Sequence, residues 1–299
     1  GGVTLASSGA AATAGVGSSP YAISISNATG GTFSAANYDI TYTAGSLTVG
    51  KAALTVTASD VTKTYGQTAT LTAYTSAGLQ NSETIGSVTL TSSGAAATAG
   101  VGSSPYTITA SNATGGTFSS ANYDITYAAG SLVVNKASLT ITATDVTKTY
   151  GQAPTLSAFT SSGLQNSETI GGVTLSSSGA AATAVVGSSP YALSVSNATG
   201  GTFNSANYDI TYAAGSLVVT KAPLSITATD VSKTYGQTVT LSAFTTSGLQ
   251  NSETIGGVTL ASSGAVASAG VGSSPYAISI SSATGGTFSS ANYDITYTA

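Results

Sequence analysis

Along residues 136–220, apolar and polar positions alternate in short runs separated by turn residues. In SLTITA (138–143), Leu139, Ile141 and Ala143 fall on one side and Thr on the other, the period of two that marks a half-buried strand. TLSAF (155–159) and VTLSS (173–177) repeat that alternation, AATAVV (181–186) does so weakly, and YALSVS (191–196) aligns Tyr191, Leu193 and Val195. In YDITY (208–212) the rings of Tyr208 and Tyr212 flank Ile210 on one face, while Asp209 and Thr211 take the other; SLVV (216–219) is apolar throughout. The pattern predicts seven strands, with turns at TDVTKTYGQ, GSSP and NATGG, whose residues tolerate turn geometry. Only SGLQNSETIGG has room for a helical turn, because Leu164–Ile170 contains neither Gly nor Pro. Seven short strands with turns roughly every ten residues predict an all-β, immunoglobulin-like β-sandwich; a β-grasp sheet carrying that one short helix is the alternative.

The same pattern recurs. ANYDITY begins at residues 36, 121, 206 and 291, KTYGQ at Lys63, Lys148 and Lys233, and GLQNSETIG at Gly78, Gly163 and Gly248, always 85 residues apart. Such a period exceeds that of solenoid repeats and falls within the size of a domain with its own core. The chain therefore divides into a partial repeat over 1–50, full repeats over 51–135 and 136–220, and a repeat lacking its last strand over 221–299. Opening inside one repeat and closing before the end of another, it reads as a stretch of a longer array. From Ser216 the sequence SLVVTKAPLSITA carries one repeat's last strand into the next repeat's first with no Gly/Ser or Pro-rich spacer, which predicts a semi-rigid, elongated rod.

Composition narrows the chemistry. His, Cys, Met, Trp and Arg are absent, which removes the usual proton shuttle, thiolates, disulfides and imidazole metal ligands. Six Lys against ten acidic residues give a net charge of -4, and the Lys are too dispersed to track a phosphate backbone, so no nucleic-acid partner is expected. No apolar run reaches the roughly 20 residues that span a bilayer. Charged residues are only 5% of the chain, so its surface must be largely hydroxyl-covered, which suits a fixed extracellular thread.

Few residues invite a chemical role. The aromatic at Tyr74 becomes Phe159 and Phe244, so that position wants a ring rather than a hydroxyl, and the rings are expected mainly in the core. A sugar-binding aromatic face would require Tyr123 and Tyr127 in solvent. Asp60, Asp145 and Asp230 close the first strand before a turn, where Asp caps nearby backbone; Asp124 and its equivalents are solvated or paired with Lys. No repeat clusters acids as a calcium loop does, so no metal or other cofactor is expected. Glu83, Glu168 and Glu253 are the only Glu residues, and serial identical copies of an active site are unexpected, so the chain reads as non-enzymatic. Lys148, Glu168 and Asn207 supply the residue types of a Lys–Asn isopeptide cross-link. NAT at Asn27, Asn112 and Asn197 matches a glycosylation acceptor, but the fourth copy has Ser282, which favours a turn role.

With KTYGQ followed by SGLQNSETIG, SSPYAISIS and NYDITYAAGSLVV before KAPLSITA, the repeat resembles MBG-type repeats of the YGX variety, found in tandem in very large secreted bacterial proteins, many of them similar to filamentous-haemagglutinin-type adhesins. The resemblance covers the whole chain. It implies an all-β domain in a secreted, cell-attached or matrix setting and carries no catalytic or ligand-binding residues. The expected role is a stalk or fibre segment whose partners are neighbouring repeats; the alternatives are a glycan- or surface-binding module acting by avidity and a laterally self-associating filament.

Overall fold

The computed structural model describes residues 1–299, and the chain is all-β apart from 3-10 turns. It falls into two compact units: Gly1–Ala137 with Ala206–Tyr208, and Ser138–Ser205 with Asp209–Ala299.

The repeat over 51–135 shows the architecture. Its first strand, Ala52–Ala58, is the centre of a three-stranded sheet, antiparallel to Tyr74–Ala77 on one side and parallel to Tyr123–Ala128 on the other. The second sheet has four strands in the order Val61–Thr64, Gly130–Asn135, Tyr106–Gly116, Ile85–Thr91. Here Val61–Thr64 runs parallel to Leu132–Asn135, and the other pairs are antiparallel. Alternation in the first strand turns Leu54, Val56 and Ala58 inward, each at most 2% exposed. Side chains from both sheets meet in one cluster, Leu54, Val56, Ala113 and Tyr123, which Ile85, Phe118 and Ile125 extend.

The repeat over 136–220 also has seven strands: Ala137–Ala143, Val146–Thr149, Phe159–Ser162, Ile170–Ser176, Tyr191–Gly201, Tyr208–Ala213 and Gly215–Thr220. Two differences from the sequence expectation offset each other. AATAVV forms no strand, and VTKT, expected to be turn, does. VTKT was illegible because its inward position is Lys148, a charged residue only 3% exposed. Burial becomes tolerable because its ammonium donates to the carbonyls of Gln152 (2.9 Å) and Ala181; desolvation pushes its pKa down. Asp145 caps distant rather than local backbone, with Oδ1 accepting the N–H of Ser216, 71 residues on, at 2.7 Å.

NATGG is likewise not a turn. It continues the strand through a bulge, where Asn112 takes φ 50° between the pairs Ser87–Thr114 and Thr89–Ser111. Ser282 adopts φ 52° at the equivalent place, which explains why the repeat can do without the Asn. SGLQNSETIGG holds no helix: Asn166 and Ser167 take left-handed φ values of 51° and 58° in a tight turn, so the helix of the β-grasp alternative is absent.

Non-local pairing decides which stretches become strands. Residues 38–42 carry the same letters as residues 123–127, yet they form no strand and leave Tyr38 65% exposed. Residues 1–50 contain no counterpart of Ala52–Ala58 to pair with them. In the last repeat, residues 231–234 have no GSLVV strand alongside and are not extended into a sheet.

Candidate functional site at the repeat joint

The chemistry-bearing side chains converge where one repeat meets the next. Between Gly215–Thr220 and Ala222–Ala228 the connection is the single residue Lys221. Leu217 and Val219 on one side and Ala222, Leu224, Ile226 and Tyr293 on the other belong to one continuous buried cluster. The apolar core does not stop at the repeat boundary.

Three segments bring the joint's side chains together. The TYGQ turn of the 136–220 repeat is pinned by its own backbone: the Tyr150 N–H donates to the Thr220 carbonyl at 2.8 Å, and the Gly151 N–H to that of Ala182 at 3.1 Å. Gly151 sits at φ +89°, and a Cβ there would approach Gln250 Oε1 to 2.2 Å, so both conformation and proximity favour glycine. From the following repeat, Asn251 and Ser252 adopt left-handed φ and present Glu253. The 3-10 turn Ser290–Asn292 then delivers Asn292 and Tyr293.

Glu253 lies between two phenols. Tyr150 donates to Oε1 at 2.6 Å and Tyr293 donates to Oε2 at 2.5 Å, while the Tyr293 oxygen accepts the Gln250 N–H at 2.8 Å. The two rings meet edge to face, centroids 5.5 Å apart, a favoured aromatic geometry. Asn292 Oδ1 accepts the Val186 N–H at 3.0 Å, and Asn251 donates to the Ala182 carbonyl at 3.3 Å, both across the boundary. Burial, then the hydrogen bond to Glu253, pushes both phenol pKa values up.

The arrangement recurs. Tyr65 and Tyr208 form the same edge-to-face pair at 5.5 Å, and Asn207 Oδ1 accepts the Val101 N–H at 2.9 Å. Asn122 does the same for Val16 at 2.9 Å, and Tyr123 donates to Glu83 at 2.6 Å. Tyr65 and Tyr150 are each 4% exposed, buried against the repeat that follows. The tyrosine of KTYGQ thus belongs to the joint.

The other candidates serve elsewhere. Tyr123, 3% exposed, is core, so the solvent-facing Tyr123–Tyr127 pair does not exist. Tyr127 is partly exposed, but its oxygen accepts the Ala113 N–H at 2.9 Å across the fold. The isopeptide candidates have separate partners: Lys148 caps two carbonyls of its own repeat, and Asn207 holds Val101. Equivalents of Glu168, namely Glu83 and Glu253, face tyrosines rather than Lys and Asn. Lys51 and Lys221 pair with Asp124 and Asp294 at 3.7 and 3.9 Å on exposed surface, where such pairs contribute little. No three acidic residues gather as a metal group, and no helix is long and apolar enough to cross a membrane.

Sequence reading missed that Tyr150 and Glu253 act together. One signal was available: a single Glu per repeat, in a chain with almost no charge, recurring in step with KTYGQ.

The family model for the MBG domain of YGX type matches residues 54–133, 139–218 and 224–299. No curated protein and no solved structure matches the chain. The chain belongs to the MBG-domain family, as three tandem domains.

Proposed function

Taking the chain as a tandem array of YGX-type MBG domains, we propose that it is a non-catalytic segment of an extracellular stalk or fibre, giving length to a large surface adhesin or matrix protein. Each domain is an immunoglobulin-like sandwich in this reading, which the meeting of side chains from two sheets in one core supports. The observation that carries it is the joint: a one-residue connection, a core shared across the boundary and the Tyr150–Glu253–Tyr293 bridge tie one repeat to its neighbour. A chain of independent binding modules has no need of such coupling. A stalk does, because stiffness turns copy number into reach.

The deciding experiment is to delete one whole repeat, residues 136–220, from the protein on its native cell surface. A stalk shortens by one domain and retains whatever adhesion its tip confers. Loss of adhesion in proportion to repeats removed, with binding by the repeats themselves, would favour the glycan-binding module instead.

A further inference from the structure

We propose that each repeat carries tension through a clamp made of its own two ends, the segments 52–64 and 123–135 in the 51–135 repeat. It rests on the stalk reading for the source of the load, whereas the clamp itself belongs to the single repeat.

Each end supplies two strands. Ala52–Ala58 runs parallel to Tyr123–Ala128, pairing Ala52 with Tyr123 through Thr57 with Ala128. After a short step into the other sheet, Val61–Thr64 runs parallel to the last strand, pairing Val61 with Leu132 through Thr64 with Asn135. The separation is 71 residues at every pair, so the two ladders are one ladder that changes sheets without losing register. Asp60 fills the step at the same separation, its Oδ1 accepting the Ser131 N–H at 2.7 Å. The 136–220 repeat keeps the second half of this register, Val146 with Leu217 through Thr149 with Thr220, and the same bridge from Asp145 to Ser216.

Parallel pairing decides how a pull is felt. The chain enters at the Ala52 end of the ladder and leaves at the Asn135 end, about 40 Å away at roughly 3.3 Å per residue. Tension between those points acts along the strands, in opposite senses on the two segments. The hydrogen bonds, evenly spaced in a parallel pair, are then loaded together in shear. Strands pulled apart from a shared end would instead open one bond at a time. Slippage is opposed by Lys63, which lies in the ladder opposite Val134 and is 5% exposed. Its ammonium donates to the carbonyls of Gln67 (2.9 Å) and Ala96, and a slip along the strand would drag a buried charge off both. The last strand is held on its other edge too, where it pairs with Tyr106–Gly116 and the Val134 N–H donates to Ser104 Oγ at 2.8 Å.

The chain has no Cys, so handles for optical tweezers can be placed at chosen residues of the 299-residue chain. Gly50→Cys with Lys136→Cys pulls the 51–135 repeat from opposite ends of the ladder, and a Cβ at Gly50 meets nothing within 4 Å. Thr68→Cys with Lys136→Cys, both at exposed positions, pulls from the same end. Rupture force should be at least about twofold higher in the first direction, since forced unfolding is governed by the barrier that the load must cross. The repeat should then lengthen in one step by roughly 250 Å, its chain at 3.3–3.6 Å per residue less the folded span. Asp60→Ala should lower the force between 50 and 136 and leave that between 68 and 136 unchanged, because peeling meets the Thr64–Asn135 pair first. Asp124→Ala, whose carboxylate lies on exposed surface in the same ladder, should change neither. Equal forces in the two directions would overturn the proposal. So would an Asp60→Ala chain as resistant between 50 and 136 as the Asp124→Ala chain, even if the Thr68→Cys variant fails to fold. Both results are read from the chain alone and leave the stalk reading to the repeat deletion on cells.

Discussion

Tyr150 and Glu253 stand 103 residues apart in the chain and 2.6 Å apart in the fold, joined by a hydrogen bond that crosses from one repeat to the next. The same carboxylate holds Tyr293, so a single glutamate bridges phenols from two domains. Loss of either partner should therefore be felt in both repeats.

A double-mutant cycle on this pair should show coupling. Hydrogen bonds to charged groups contribute about 1.5–3 kcal/mol, and half-burial of Glu253 places the pair at the lower end of that range. Tyr150→Phe and Glu253→Ala, each measured by chemical denaturation, should be non-additive by about 1.5 kcal/mol when combined. Strict additivity would mean the hydrogen bond contributes nothing.

Alkaline pH should loosen the joint. The phenols of Tyr150 and Tyr293 have pKa values raised above the ordinary 10.0, so the folded chain holds these protons more tightly than the unfolded chain does. Their contribution is complete below pH 10 and is lost as pH rises above it. Titration followed by tyrosinate absorbance should show these two among the last of the 16 tyrosines to ionise. Glu253→Gln should bring both forward, because it removes the negative charge that opposes phenolate formation.

Lys148 is a structural cation. Lys148→Met removes the donor to the Gln152 and Ala181 carbonyls and should destabilise the repeat by about 1–3 kcal/mol, the penalty for leaving buried polar groups unpaired. Since Lys148 and Asn207 are both engaged elsewhere, the intact mass should equal that of the sequence, with no loss of ammonia. A mass lower by one ammonia per repeat would restore the isopeptide cross-link.

Asp145→Ala should cost about 1–2 kcal/mol by freeing the Ser216 N–H, and hydrogen exchange at Ser216 should rise selectively.

Much of the repeat was legible in its sequence where the reason for a strand was local. Leu139, Ile141 and Ala143 alternate with Thr, and Ala137–Ala143 is a strand. VTKT and the first copy of NYDITY depart from what their letters suggest because of interactions that reach beyond the local sequence. VTKT reads as polar because the carbonyls that accommodate Lys148 lie in its own turn and 33 residues further on. NYDITY at 37–42 reads like its three copies but lacks a partner strand, and so remains exposed. The joint was hidden for the same reason. Glu253 gains its meaning from Tyr150, which belongs to a different folding unit in the sequence and to the same site in the structure.

Nitrogen-15 relaxation on the 299-residue chain tests most directly whether the joint makes neighbouring repeats one body. Residues 136–220 and 221–299 are predicted to report a single rotational diffusion tensor, which separates into two when Tyr150 and Glu253 are both replaced by alanine. Independent tumbling of the two repeats in the unmodified chain would contradict the account.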